Sequence, residues 1–375
     1  MGYKIESLTL EALIGPLTRA GEALARLDER LAKSPVRDGW IERSHFADAA
    51  SALWLDGELV HIEDLVLHDA HMDIRTPTHE LTRAHVIMRS RRQMFSRQPD
   101  WALSPTGLKA LTGRIAGEKE AAVRPVAEAE IGKEALAQEP EAVTNTAAGD
   151  GLKAALAVID AVLGRAEKTL DRVEARPLPS PMPERDALIY DPDWDEDERL
   201  AEWQAVLVRT AQLPPLLQAA LLWDAWQQIE VLQHAPWLGQ LLVAAQLRKT
   251  GATSSHLTCI SVGLRTIARE RRRALDRSTR LTALMEGIHA AATTGLKEHD
   301  RLVIAKDQME RRLRNRRSTS KLPQLVELVL SRPLISSTMI EKELKLTTKG
   351  ALNLVAELNL REITGRGRYR AWGVI

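Results

Sequence analysis

Residues 322–375 read "LPQLVELVLSRPLISSTMIEKELKLTTKGALNLVAELNLREITGRGRYRAWGVI", and the spacing of their apolar side chains decides the class of the fold. "LPQLVELVLSR" has the period of an amphipathic helix, and "SSTMIEKELKL" predicts a second, with Ser336 or Ser337 as its N-cap. After a short turn, "TTKGALNLVAELNL" predicts a third, with Ala351, Leu354, Val355 and Leu358 on one face. Ile340, Leu344 and Leu346 bracket the turn. "REITGRGRYRAWGVI" then alternates apolar and polar residues on both sides of "GRGR", the pattern of a β-hairpin. Three helices followed by a hairpin is the order of a winged helix-turn-helix. The turn position that favours glycine is Lys345, which costs about 1 kcal/mol if the backbone there is left-handed.

That order points to double-stranded DNA as the partner. The third helix would present Thr347, Thr348, Lys349 and Asn353 to a major groove, the lysine and asparagine toward bases and the threonines toward phosphates. The hairpin tip carries Arg366 and Arg368, followed by Arg370, all suited to phosphates or a minor groove. Winged helices also serve as protein-interaction modules, so that reading stands beside DNA binding. Charge distribution favours the polyanion. From position 251 onward 24 lysines and arginines stand against 12 acidic residues, although the whole chain is only +1. Residues 1–250 are therefore net negative, and only the C-terminal part is built to face a polyanion. Two further arginine clusters, Arg271, Arg272 and Arg273, and Arg314, Arg316 and Arg317, read as solvated helix faces or as additional phosphate contacts.

The rest of the chain reads as mainly α. Its 375 residues suffice for two or three domains, and nine of its fourteen aromatics are Trp. Apolar spacing predicts helices over 5–33 and 41–54, "GELVHIEDLVLHDA" as a turn entering another helical segment, and a helix over 79–96 with Thr78 as N-cap. Residues 1–115 form an N-terminal helical region, and 116–150 an Ala/Glu/Pro-rich flexible linker. Residues 151–318 form a helical core and 319–375 the winged helix. Within the core, a helix over 151–175 and a Pro-rich connector precede an acidic helix start, "DEDE". The stretch 199–249 is the most apolar, and helices over 255–290 and 294–317 follow. The single cysteine, Cys259, excludes an internal disulfide and a Cys-based zinc site. No metal or cofactor site is expected. No apolar run approaches the roughly 20 residues of a membrane span, and the N-terminus lacks the pattern of a secretion signal. A cytoplasmic bacterial protein is expected.

The layout resembles the Fic (filamentation induced by cAMP) family, whose longer bacterial members join a helical N-terminal region, a helical core and a winged helix. In "FADAASALWLDGELVHIEDL", Asp56 and Gly57 sit where that family's inhibitory motif has Glu-Gly, and Trp54 and Leu55 replace its Arg-Ile. The family's active loop reads His-x-Phe-x-Asp/Glu-Gly-Asn-Gly-Arg-x-x-Arg before an apolar helix. Anchored on Gly239 and "LLVAAQLRKTG", its His falls on Ile229, its Phe on Val231 and its acid on Gln233. Its Gly-Asn-Gly falls on His234, Ala235 and Pro236, and its arginines on Trp237 and Gln240. The resemblance thus implies a degenerate Fic-like bundle without a catalytic residue. Ile229 cannot take a proton, Gln233 is a poor anchor for Mg²⁺, and Trp237 cannot neutralise phosphate. His234 could be a displaced base with Glu230 its only nearby carboxylate, or a capping histidine. Trp223, Trp226 and Trp237 read as core residues or as a stacking site.

The chain is also similar to a family of rhizobial and other plasmid-bearing bacteria, in which a domain of unknown function precedes a helix-turn-helix domain. "LPQLVELVLSRPLISSTMIEKEL" and the Ala/Glu linker carry that likeness. The leading expectation is a non-catalytic DNA-binding regulator of transcription or replicon maintenance, acting as a homodimer. The alternatives are a divergent Fic-type nucleotidyl or phosphoryl transferase and a protein-interaction module.

Overall fold

The computed structural model describes residues 3–5, 10–73, 76–113, 194–313, 321–363 and 370–374. The expected linker, the helix over 151–175, the Pro-rich connector, and Arg314, Arg316, Arg317, Arg366 and Arg368 lie outside them. Chain contacts gather Met1–Thr112 with Asp193–Ile375 into one compact unit. The second unit, Gly113–Pro192, falls outside the described residues apart from Gly113.

The first part of the compact unit is helical: α1 (Leu10–Ala32), α2 (Arg37–Asp56), α3 (Ile62–Asp69), α4 (His79–Ser96), a 3-10 turn (Trp101–Leu103) and α5 (Pro105–Leu111). Their ends follow local chemistry. Gly57 closes α2 at φ 92°, and the Thr78 hydroxyl accepts the Leu81 N–H at 3.3 Å to open α4. The segments expected over 41–54 and 79–96 are thus helices, the first longer than expected.

The next elements are α6 (Glu196–Arg209), α7 (Pro215–Ile229) and α8 (Leu238–Lys249). Asp195 caps α6 by accepting the Asp197 and Glu198 N–H groups at 3.0 and 2.9 Å. α7 and α8 are buried along almost their whole lengths, as the apolar stretch 199–249 indicated. Their tryptophans belong to the core. Trp203 and Trp226 meet edge to face at 5.4 Å, and their indole N–H groups donate to the carbonyls of Leu222 and Pro236.

The region expected as two helices over 255–290 and 294–317 is built differently. It comprises α9 (Ile260–Leu264), α10 (Arg269–Arg272) and one 37-residue helix, α11 (Arg277–Leu313). Asp276 starts α11 by accepting the Thr279 N–H at 2.8 Å, which ends the basic cluster as a short turn instead of continuing it. No break occurs near 290–294, because Ala291, Ala292 and Gly295 keep that flank of α11 thin against its neighbours. A Cβ on Gly295 would come within 2.8 Å of Leu27 on α1 and 3.0 Å of Trp40 on α2. α11 is consequently the spine: α1, α2, α7 and α9 all pack on it.

Two polar ties hold the body. Arg91, fully buried on α4, donates to Asp48 on α2 at 2.5 Å and to the carbonyls of Leu257 and Thr258 at 3.1 and 3.4 Å. Asp48 in turn accepts the Val262 N–H at 3.1 Å. At the other side Asp224, 2% exposed, accepts from the Tyr3 hydroxyl at 2.6 Å and from Arg280 Nε at 2.5 Å. Removing one partner of a buried pair strands the other charge, at a cost of about 3–5 kcal/mol. Asp48→Ala is therefore expected to lower the unfolding free energy measured by chemical denaturation by that amount, and Arg91→Leu, which strands the Asp48 carboxylate in turn, by a similar amount. Gly239→Ala should cost about 1–3 kcal/mol in the same measurement. Its new Cβ would lie 2.4 Å from the Trp226 ring.

Candidate nucleic-acid interface

The C-terminal elements are α12 (Leu322–Ser331), β1 (Ile335–Ser336), α13 (Ser337–Leu344), α14 (Thr348–Leu358), β2 (Arg361–Glu362) and β3 (Ala371–Gly373). Three helices and a hairpin are present as expected, with one addition. β1 pairs antiparallel with β3, Ile335 opposite Trp372, so the sheet order is β1-β3-β2. A two-residue strand wedged between Pro333 and a helix cap leaves no periodicity to read. The core beneath is Leu325, Val329, Ile335, Ile340, Leu344, Ala351, Val355, Leu358 and Trp372, each under 10% exposed.

Local chemistry sets the turn between α13 and α14. Ser336 is the N-cap of α13, accepting the Met339 N–H at 3.2 Å, and Thr347 caps α14 by accepting the Gly350 N–H at 3.2 Å. Lys345 between them has φ 52° and ψ 57°, the left-handed conformation. That geometry redirects the chain so that α13 and α14 pack on each other through Ile340, Leu344, Ala351 and Val355.

With those residues turned inward, α14 shows solvent its other face. Thr347, Thr348, Lys349 and Asn353 are all exposed and lie together on it. Arg370, also expected as a contact, is exposed and paired. Its guanidinium donates twice to Glu362, at 2.9 and 2.7 Å, and sits 5.3 Å from the centre of the Trp372 ring. The Glu362 carboxylate holds its pKa above the ordinary arginine value. Lys342, Lys345 and Arg361, on α13, in the turn and at the start of β2, are exposed as well. Sequence reasoning singled out none of the three as contacts, since only the packing shows which turn residues share a face.

The cluster Arg271–Arg273 is elsewhere. Arg271 pairs with Glu286 on α11, which holds its pKa above the ordinary value, and Arg272 donates to the Ile267 carbonyl at 3.0 Å. Arg273 is exposed. Glu286 and Arg312, the α11 residue that caps α14, are separated by roughly 39 Å along the helix at 1.5 Å per residue. The structure does not bring this cluster beside the α14 face.

The reader is fastened to the body. α12 lies on α2 so closely that a Cβ on Gly39 would stand 2.9 Å from the Leu330 carbonyl oxygen. Arg332 donates to Asp69 at 2.6 Å, Arg43 to the Arg332 carbonyl at 2.5 Å, and Lys306 to Glu327 at 2.9 Å. Arg312 donates to the Leu358 carbonyl at the end of α14.

The loop 229–240, the other motif singled out, is packed into the core. Ile229, Val231, Ala235, Trp237 and Gln240 are all buried, and Gln240 accepts the Ser261 hydroxyl at 2.6 Å. His234 has a carboxylate partner that the sequence reading missed. Its Nδ1 lies 3.0 Å from Glu196 on α6, not beside Glu230, which is the left-handed cap of α7. Glu196 is 38 positions away in sequence and only the fold brings it near. Asp56 pairs with Arg83 on α4 at 3.6 Å. Among the described residues no cluster of three or more His, Cys, Asp or Glu side chains could hold a metal, and no helix is long and apolar enough to cross a membrane.

Comparison with known proteins gives three findings. Residues 188–314 match a family described as protein of unknown function (DUF1612). Residues 322–375 match a family of helix-turn-helix DNA binding domains. The chain is also 50% identical over 382 residues, covering 100% of both chains, to the uncharacterized protein y4cF of Sinorhizobium fredii (strain NBRC 101917 / NGR234).

The left-handed turn at Lys345 makes a direct prediction. Glycine there removes the clash of Cβ with the following carbonyl, worth about 1 kcal/mol. Lys345→Gly is expected to raise the unfolding free energy by up to that amount, seen as a higher urea midpoint with an unchanged slope.

Proposed function

From the premise that the chain belongs to the family of the Sinorhizobium protein, a DUF1612 domain joined to a C-terminal helix-turn-helix DNA-binding domain, we propose that it is a non-catalytic regulator. It binds duplex DNA through α14 and regulates transcription or maintains a replicon. The single observation that carries this reading is the outward face of α14. Thr347, Thr348, Lys349 and Asn353 point to solvent on a helix whose opposite face is buried. Lysine and asparagine supply donors for guanine and adenine edges, the threonines supply phosphate contacts, and Arg366 and Arg368 are proposed from the sequence as further phosphate contacts.

The helical body is read as a degenerate Fic-like scaffold on the order of its elements and the spacing of the loop before α8. The packing of that loop supports the absence of catalysis. Ile229, Trp237 and Gln240 fill the core where a transferase would need an open pocket, and His234 is held by Glu196 at 3.0 Å. The protein acts in the cytoplasm on two half-sites as a homodimer.

Fluorescence anisotropy with labelled duplexes tests the reading. Affinity is expected to fall at least tenfold between roughly 50 and 200 mM salt, the counterion release of about two phosphate contacts. Asn353→Ala should weaken binding to a selected site by about 1–3 kcal/mol while leaving non-specific binding nearly unchanged. Absence of any binding at low salt would refute the proposal.

A further inference from the structure

The outward face of α14 is not uniformly polar. Lys349 and Asn353, four residues apart, form one stripe, and Thr348, Leu352 and Ala356, also four apart, form the stripe beside it. Leu352 is 36% exposed and takes no part in the core that Ala351, Val355 and Leu358 make beneath it. A leucine held in water at the centre of a helix face stabilises the fold little, because its apolar area is only partly removed from solvent.

The major groove offers one apolar feature at the base edges, the 5-methyl group of thymine. Four residues of helix rise about 6 Å, so the Thr348–Leu352–Ala356 stripe spans about 12 Å. That length covers three to four base steps of about 3.4 Å each. Resting on the DNA-binding reading above, we infer that Leu352 is a specificity-determining residue that packs on a thymine methyl. The methyl groups of Thr348 and Ala356 extend the apolar track on either side, while Lys349 and Asn353 read the neighbouring purines. An asparagine on adenine next to a leucine on a methyl is the pairing that selects A·T over G·C. Residues 321–375 carry nine lysines and arginines against five acidic residues, which matches the charge of the duplex that would cover the face.

The test begins with duplexes selected from a random pool. Each thymine of the selected half-site is then replaced by deoxyuridine, which removes the methyl and keeps every hydrogen-bonding group. For the full chain, at least one replacement is expected to weaken binding about fourfold, the effect of one buried methyl-sized group. Leu352→Ala should bind the thymine and uracil duplexes alike and remain folded, its melting temperature lowered by only a few degrees because the side chain is partly covered and lies outside the core.

The assignment is overturned if the parent binds the selected duplex tightly yet is indifferent to uracil at every position. It is overturned equally if Leu352→Ala keeps full discrimination. Should Leu352→Ala dissociate an oligomer seen by light scattering, the stripe is a subunit contact and the assignment fails. Failure to bind any duplex at low salt is a separate result, one that removes the DNA-binding reading itself.

Discussion

The charge of Arg91 has no access to solvent, and the rest of the body is arranged around it. Burying a guanidinium costs several kcal/mol unless a carboxylate and carbonyl oxygens replace the lost water. Asp48 on α2 and the carbonyls of Leu257 and Thr258 supply them. Because those carbonyls belong to an irregular segment, the arginine fixes a piece of chain that no helix or sheet ladder could hold. That segment leads directly into α9, which crosses α11 so closely that a Cβ on Gly263 would stand 1.8 Å from the Gly287 carbonyl oxygen. The buried ion pair thus contributes, through α9, to the seating of the spine helix, together with α1, α2 and α7 packed directly on it.

The spine carries this order to the reader. At its far end Arg312 caps α14 and Lys306 pairs with Glu327, while Arg332 reaches back to Asp69 at the end of α3. Asp69 also receives two hydrogen bonds from Arg92, at 2.7 and 3.1 Å. His85, Arg92 and Arg332 together hold its carboxyl well below the usual range despite its burial. A surface ion pair alone contributes little. Here the pairs add to the apolar seat of Leu330 on Gly39 and bear on one interface from three sides. The face of α14 is accordingly set by the whole body, and the reader does not swing on a tether.

The loop 229–240 shows how one set of residues reads differently before and after folding. On the sequence alone, Ile229, Trp237 and Gln240 are groups missing from a catalytic pattern. In the structure they have a positive role: they fill space, and Gly239 is there because Trp226 lies flat against it. An indole packed on backbone tolerates no side chain, which explains the glycine without any phosphate to bind.

Several features were legible in the sequence because they rest on near neighbours. Apolar periodicity marked α12, α13 and α14, the α13 cap was narrowed to Ser336 or Ser337 because a capping hydroxyl stands three residues before the N–H it accepts, and helix spacing put the turn at Lys345. The basic surplus after position 251 was likewise open to counting. The two-residue β1 was not, nor was the continuity of α11 through its alanines, since neither changes the local pattern that periodicity reports. The partners of His234, Arg332 and Arg370, and the exposure of Leu352 on a helix that is otherwise polar outside, were decided by tertiary structure alone. Such contacts join residues far apart in sequence or depend on which side of a helix meets its neighbour. A linear chain of side chains carries no record of either until burial has chosen the packing.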